Sequence, residues 1–244
     1  MRNQLRAGAY LLVRNPYVWA ALALVVVRWA WCVVRVAQGG LSFGLQDSIL
    51  RDKLTLLAYL LSAAGIAAFD QRGGALRGFC DAERGRERYV ASRFVLVAAT
   101  AVGLVAVTAL LDALGGAIVP GASRIAASPQ MHEPARLVAG VLSVLVACEL
   151  TFFLGTLART RGVLATMGLL AVLFLAVAAV GALLPGVDGL LDAVMPTAGL
   201  LTGVSFQPEA SLMPLDLVRA CLVPAVWLAA LFALTRLLLA RRAV

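Results

Sequence analysis

Six long apolar blocks, separated by shorter charged or Gly-, Ser- and Pro-containing segments, dominate the chain. A block of roughly 20 apolar residues can cross a membrane, because each helical residue adds about 1.5 Å towards a hydrocarbon core of about 30 Å. Each span must be a helix, since lipid offers no hydrogen-bond partner to free backbone groups. The pattern therefore predicts an all-α membrane protein, a single domain over residues 1–244, with six transmembrane helices at about 17–37, 54–70, 92–114, 137–157, 163–184 and 217–240.

The residues before the first block have a different, amphipathic pattern. Apolar residues recur at helical spacing and arginines lie between them, in the order Arg2, Leu5, Arg6, Ala9, Leu12, Val13 and Arg14. This arrangement is typical of a short helix lying in the membrane interface. Asn15-Pro16 then marks the turn into the first span. The sequence predicts an interfacial helix over about residues 1–16.

Composition supports a membrane protein and orients it. Of 244 residues, 62% are hydrophobic and 14% are charged, whereas a soluble domain has a surface of about one-quarter charged residues. The net charge of +8 comes from arginines between the blocks, so a membrane rather than a nucleic acid is the expected partner. With both termini in the cytoplasm, segments 1–16, 71–93, 158–162 and 236–244 hold 14 basic residues and the other side holds 6. The positive-inside rule therefore predicts cytoplasmic termini.

No pattern for catalysis or metal binding stands out. A Walker A loop needs a lysine that reaches the phosphates of the nucleotide. The only lysine, Lys53, follows Asp52 and lies in no such loop, so this chain cannot be a Walker-type ATPase. His132 is the only histidine, and the four cysteines are isolated, which supports neither a zinc site nor a disulfide framework. The sequence predicts no enzyme, no catalytic residue and no bound cofactor or metal in this chain.

Two charged residues lie far inside predicted spans. Arg28 is about 11 residues into the first span and Glu149 about 12 into the fourth, which places both near mid-bilayer by helical rise. A charge at the centre of a membrane helix costs roughly 2.5–3.5 kcal/mol, so each should face protein or water. One interpretation is a structural Arg28–Glu149 ion pair, and another is that one or both line a substrate path. Glu149 could also be protonated and need no partner.

The stretch from Asp70 to Arg93 is the only long, densely charged segment. It resembles the segment between the second and third spans of ABC-2 type transporter permeases. In that family an acidic residue, a glycine, a Leu-Arg pair, a short helix and a basic return follow in order. The matching positions here are Asp70, Gly74, Leu76-Arg77, Arg86, Arg88-Tyr89-Val90 and Arg93. The N-terminal interfacial helix resembles the elbow helix that opens many of these permeases.

The resemblance implies a cytoplasmic coupling segment at 71–91, whose short helix would sit in a groove of a cytosolic ATPase subunit. If residues 75–84 form this helix, Leu76, Phe79 and Cys80 share one face by their spacing of three and four residues. That apolar face could enter the groove. Polar contacts could be made beside it by Arg77, Asp81 and Arg84.

The resemblance also implies a function. It indicates a multi-pass permease subunit of an ABC exporter in a bacterial plasma membrane. A second permease chain, identical or related, would complete the substrate path, and a separate ATPase subunit would bind ATP and magnesium. The substrate could be a peptide such as a bacteriocin or lantibiotic, or a drug. The alternatives are a structural or assembly membrane protein without an ATPase partner and a membrane-embedded enzyme, for which only Arg28 and Glu149 are candidates.

Overall fold

The computed structural model describes residues 2–39, 52–72, 85–119, 133–158, 162–183 and 214–241. These residues form helices and contain no β-strand, which confirms the all-α fold class for this part of the chain. Seven helices lie in the described ranges: α1 (Arg2–Arg14), α2 (Pro16–Ala37), α3 (Lys53–Arg72), α4 (Gly85–Ile118), α5 (Glu133–Leu157), α6 (Val163–Leu183) and α7 (Pro214–Arg241).

Each predicted span falls on one of these helices, and five of them (α2, α3, α4, α5 and α7) are long and apolar enough to cross a membrane. In the described part of α6, the apolar stretch is shorter and runs over Val163–Ala176. A multi-pass membrane protein is therefore indicated, while six spans and the orientation stay predictions. α4 begins at Gly85, before the predicted start of the third span near residue 92, so the basic return of the charged segment belongs to the same helix as that span.

Local side-chain contacts fix where two of the spans begin. The Asn15 side chain accepts a hydrogen bond from the backbone N–H of Tyr17 at 3.0 Å, and Pro16 occupies the first turn of α2. Asp52 precedes α3, and its carboxylate accepts from the backbone N–H of Thr55 at 3.1 Å and from the Thr55 hydroxyl at 2.5 Å. Both residues satisfy N–H groups that a helix start leaves without partners.

α3 is the most buried of the five candidate spans and contacts α2, α4, α5 and α6. Small residues make this packing possible. A Cβ at Gly65 would overlap the Cβ of Tyr17 in α2, and a Cβ at Gly155 in α5 would lie 2.8 Å from the Cβ of Ala67. Close approach of backbones through small residues is the usual way in which membrane helices associate. Gly65 and Gly155 are therefore packing positions, whereas Gly103 has open space around it.

Contacts between helix ends show that successive spans are antiparallel. The end of α7 meets the start of α4, where Arg236 pairs with Glu87. Near the end of α5, Gly155 lies against Ala67, which is near the end of α3. α1 packs on the same end of the bundle, through Gly8. We call this end the N-terminal side and the other end the opposite side.

Candidate functional site

The six predicted coupling residues lie outside the described part of the chain: Leu76, Arg77, Phe79, Cys80, Asp81 and Arg84. Their grouping on one helix face stays a prediction. The structure does describe both ends of the charged segment, where it leaves α3 and where it enters α4. The candidate functional site is built from these two ends.

Three residues of the charged segment meet at the N-terminal side. The Arg93 guanidinium contacts one carboxylate oxygen of Asp70 at 2.7 Å, and the Tyr89 hydroxyl donates to the other oxygen at 2.7 Å. The Arg93 guanidinium also lies over the Tyr89 ring, 5.3 Å from its centroid. We call Asp70, Tyr89 and Arg93 the Asp70 clasp. It joins the last turn of α3 to the first turns of α4.

The Asp70 clasp is almost completely removed from solvent. Asp70 and Arg93 are 4% exposed and Tyr89 is 3% exposed. Because the charges of Asp70 and Arg93 are opposite and both carboxylate oxygens have a partner, the clasp carries no net charge. Burial of such a pair is tolerated only when the geometry and hydrogen bonds are good, and loss of one partner leaves an uncompensated charge. The clasp therefore holds the two ends of the charged segment in one geometry.

α1 covers the Asp70 clasp from one direction. A Cβ at Gly8 would lie 3.1 Å from a terminal guanidinium nitrogen of Arg93 and 3.2 Å from a methyl carbon of Leu96. Leu12, one turn further along α1, packs against the main core cluster that contains Leu96. The absence of a side chain at Gly8 thus lets α1 lie directly on the start of α4.

α7 covers the start of α4 from another direction. Tyr89 and Val90 form a buried cluster with Leu239, and the rings of Phe94 and Phe232 meet edge to face at 5.4 Å. At the surface of this contact, an ion pair joins Glu87 of α4 to Arg236 of α7. The start of α4 is therefore held by three helices at once, α1, α3 and α7.

A second buried ion cluster lies at the opposite side. Arg28 of α2 contacts Asp52 at 2.9 Å and Asp112 of α4 at 3.3 Å. We call these three residues the Arg28 triad. Arg28 and Asp112 are buried, while the Asp52 side chain is 25% exposed. The structural interpretation of an Arg28–Glu149 pair is wrong, because two aspartates of other elements already surround the guanidinium.

Arg28 lies far from the level of the Asp70 clasp. Tyr17, near the start of α2, lies beside Gly65, five residues before Asp70 in α3. Arg28 is 11 residues beyond Tyr17, which puts it about 24 Å from the level of Asp70 along the bundle axis. Asp52 and Asp70, near the two ends of α3, are about 27 Å apart by the same rise. Arg28 therefore lies near the level at which α3 begins, and its depth in a membrane stays a prediction.

Glu149 does lie at the middle of the bundle. Gly155 is level with Ala67, and Glu149 is six residues further towards the opposite side, about 13–14 Å from the level of Asp70. Glu149 is 1% exposed, and among the described residues neither of its carboxyl oxygens has a hydrogen-bond partner. A buried polar group without a partner is costly, so this position is a candidate for function rather than for stability.

The sequence interpretation overlooked two members of the Arg28 triad. Asp52 was assigned no role, although an aspartate just before an apolar run is a helix-cap signal. Asp112 was not noticed as an acid near the end of a span. Asp70, Tyr89 and Arg93 were all identified in the charged segment, but the contacts between them were not predicted. In the described part of the chain, no group of three or more His, Cys, Asp or Glu residues could hold a metal ion.

No protein-family model, curated protein or solved structure matches the chain.

Proposed function

We propose that the chain is the transmembrane permease subunit of an ABC exporter of the ABC-2 type. In this proposal the chain has six spans, lies in a bacterial plasma membrane with both termini in the cytoplasm, and pairs with a second permease chain. A separate cytosolic ATPase binds ATP and magnesium and drives export of a peptide or drug.

One observation carries the proposal: the Asp70 clasp. Asp70, Tyr89 and Arg93 are three of the positions on which the family resemblance rests, and they are in direct contact. A clasp at the ends of the charged segment would transmit a force applied to that segment into α3 and α4 together. A solvated loop that only connects two helices would not need a buried ion pair between the helix ends on either side of it.

The contacts of α1 and α7 with the start of α4 support the same mechanism. A displacement of the charged segment would move α4, and α4 is packed against α1 through Gly8 and against α7 through Phe232. Helices tied in this way move as a unit, since packed interfaces shift between discrete arrangements rather than deform continuously. Glu149, buried at mid-depth on α5, is the residue we assign to the substrate path.

Orientation is tested by labelling single cysteines in intact cells with a membrane-impermeant maleimide, after the native cysteines have been replaced. We expect labelling at Ser123→Cys and Glu209→Cys but not at Glu83→Cys or Arg241→Cys. Labelling at Glu83→Cys in intact cells contradicts cytoplasmic termini.

Coupling to an ATPase is tested with Phe79→Asp in the tagged full-length permease, purified from its native host. Wild-type preparations should contain a separate polypeptide that is labelled by 8-azido-ATP and hydrolyses ATP. Phe79→Asp places a charge on the predicted apolar face, and a desolvated charge without a partner is costly. The variant should reach the membrane in normal amount and lose the labelled polypeptide.

Gly78→Asp is the matched control, because residue 78 is only one or two positions from Leu76, Phe79 and Cys80 and therefore lies on the other side of the predicted coupling helix. It should retain the ATP-labelled polypeptide. The proposal fails if wild-type permease carries no ATP-hydrolysing subunit, or if Phe79→Asp recruits that subunit as well as wild type does.

A further inference from the structure

α1 lies at the N-terminal side of the bundle, before the turn into α2. Gly8 lies beside Arg93 and Leu96, within about 4.5 Å of the clasp level, and Tyr17 lies beside Gly65, about 7.5 Å from the level of Asp70. α1 ends at Arg14, and Asn15 separates it from α2. α1 is therefore a separate helix that packs beside the clasp, next to the start of the first candidate span.

One face of α1 points away from the protein. Gly8 is buried and Leu12 is half-buried against the core, whereas Arg6, Tyr10 and Arg14 are exposed at spacings of four residues. Val13, on the same face, is 66% exposed. Such spacing places these side chains next to each other on the helix surface. We call Arg6, Tyr10, Val13 and Arg14 the outward face of α1.

The outward face is basic and aromatic. Neither Arg6 nor Arg14 forms an ion pair with a described residue, and α1 contains no acidic residue. The Arg14 guanidinium lies over the Tyr10 ring, 4.6 Å from its centroid. Trp19, at the start of α2, is exposed too, and its indole N–H donates to the Val13 carbonyl at 2.7 Å. This bond ties the last turn of α1 to the first turn of α2.

We propose that the outward face of α1 binds the phosphate headgroups of anionic phospholipids in the leaflet on the N-terminal side. A guanidinium matches the geometry of a phosphate, and the two arginines of the outward face have no acidic partner among the described residues. The Tyr10 and Trp19 rings lie where aromatic side chains meet the headgroup region of membrane proteins. Continuity with α2 brings the face into the lipid surface without any further partner.

Position and charge together favour lipid over a soluble partner. α1 packs beside the buried clasp, directly before the first candidate span, and a basic amphipathic helix in that place is typical of the headgroup region. Val13 would reach the upper acyl chains while Arg6 and Arg14 reach phosphates. A helix face that binds an acidic protein would not need an exposed apolar residue such as Val13 beside its arginines.

The test uses the purified full-length chain in nanodiscs of phosphatidylcholine with increasing phosphatidylglycerol, and counts retained lipids by native mass spectrometry. Wild type should retain phosphatidylglycerol in preference to phosphatidylcholine. The preference should fall about fivefold for each arginine removed and about 30-fold in the double variant Arg6→Gln/Arg14→Gln, as expected for basic residues at an anionic surface. High salt should reduce the wild-type preference in the same direction.

Arg35→Gln is the matched control, because Arg35 is an exposed arginine at the opposite side of the bundle. It should leave the preference unchanged, and Arg6→Lys/Arg14→Lys should retain most of it. The proposal is overturned if Arg6→Gln/Arg14→Gln retains the wild-type preference, or if Arg35→Gln lowers it equally. Loss of the ATP-labelled polypeptide with an unchanged lipid preference would assign the face to a protein partner and overturn the proposal as well.

Discussion

The Asp70 clasp and the Arg28 triad use the same chemistry at the two ends of the bundle, yet their surroundings differ. In the clasp, one arginine meets one aspartate, a tyrosine supplies the remaining hydrogen bond, and no member is more than 5% exposed. In the triad, one arginine meets two aspartates, and Asp52 is partly in contact with solvent and also caps α3.

This difference separates two roles for buried ion pairs. The clasp is covered by α1 and α7, so a change in it must disturb two further helices. The triad joins α2, the start of α3 and the end of α4, and water at Asp52 can solvate part of its charge. Because solvent compensates a charge that loses its partner, we expect the triad to tolerate change at Asp52 better than the clasp tolerates change at Asp70.

The largest expected effect comes from breaking the clasp. Asp70→Ala or Arg93→Ala leaves one buried charge without its partner and should lower the free energy of unfolding by about 3–5 kcal/mol. The double variant should cost clearly less than the sum, since no charge is left unpaired. Unfolding in detergent, followed by circular dichroism, measures both.

Arg236→Ala is the control for that experiment, because it breaks an exposed ion pair on the same helix ends and should cost about 0–1 kcal/mol. A cost for Arg93→Ala as small as that of Arg236→Ala would show that the clasp does not stabilise the bundle.

The next experiment asks whether Arg28 acts with its triad or with Glu149. Arg28→Ala leaves Asp112 buried without its cation and should cost about 3–5 kcal/mol. When Arg28→Ala is combined with Glu149→Ala, the two losses of unfolding free energy should add within about 0.5 kcal/mol, because the residues lie at different levels of the bundle. When Arg28→Ala is combined with Asp112→Ala, the loss should be well below the sum of the two single losses. Double-mutant cycles of unfolding free energy measure both couplings, and a coupling to Glu149 above that to Asp112 would contradict the triad.

Gly8→Leu tests whether α1 contributes to the clasp. A side chain at this position meets Arg93 and Leu96, so it should push α1 away and lower the free energy of unfolding by about 1–3 kcal/mol. Gly103→Leu is the matched control, since nothing lies within 4 Å of a Cβ there. Chemical unfolding of both variants measures the difference. Equal values would mean that α1 can move without cost.

The smallest effect should come from Asp52. Asp52→Asn keeps an oxygen for the Thr55 N–H but removes the charge. Asp52→Ala also loses the helix cap, so its cost in unfolding free energy should be larger by about 1 kcal/mol. Thermal unfolding of the two variants separates the cap from the ion pair. If Asp52→Asn costs as much as Asp70→Ala, solvent exposure does not explain the difference between the two clusters.

The positions of the helices were largely predictable, while the depth of individual residues was not. Apolar periodicity and length identify α2 and α5 to within a few residues, because lipid requires long apolar helices. The level of Arg28 relative to the other helices could not be predicted, since counting residues from the start of a span assumes that all spans begin at one level. Tyr17, at the start of α2, lies level with Gly65, about 10 Å before the end of α3 at Arg72.

By itself, the sequence determined the membrane character, the helical class, the amphipathic N-terminal helix and the unusual charge of the Asp70–Arg93 stretch. These properties follow from composition and local spacing, which do not depend on distant residues. Only the tertiary structure decided which charges are partners. Arg28 and Asp112 are 84 residues apart in the chain, and the acids that surround this arginine depend on how α2, α3 and α4 pack. Pairing across helices is set by the close approach of small residues such as Gly65, and no local pattern in the sequence reports that approach.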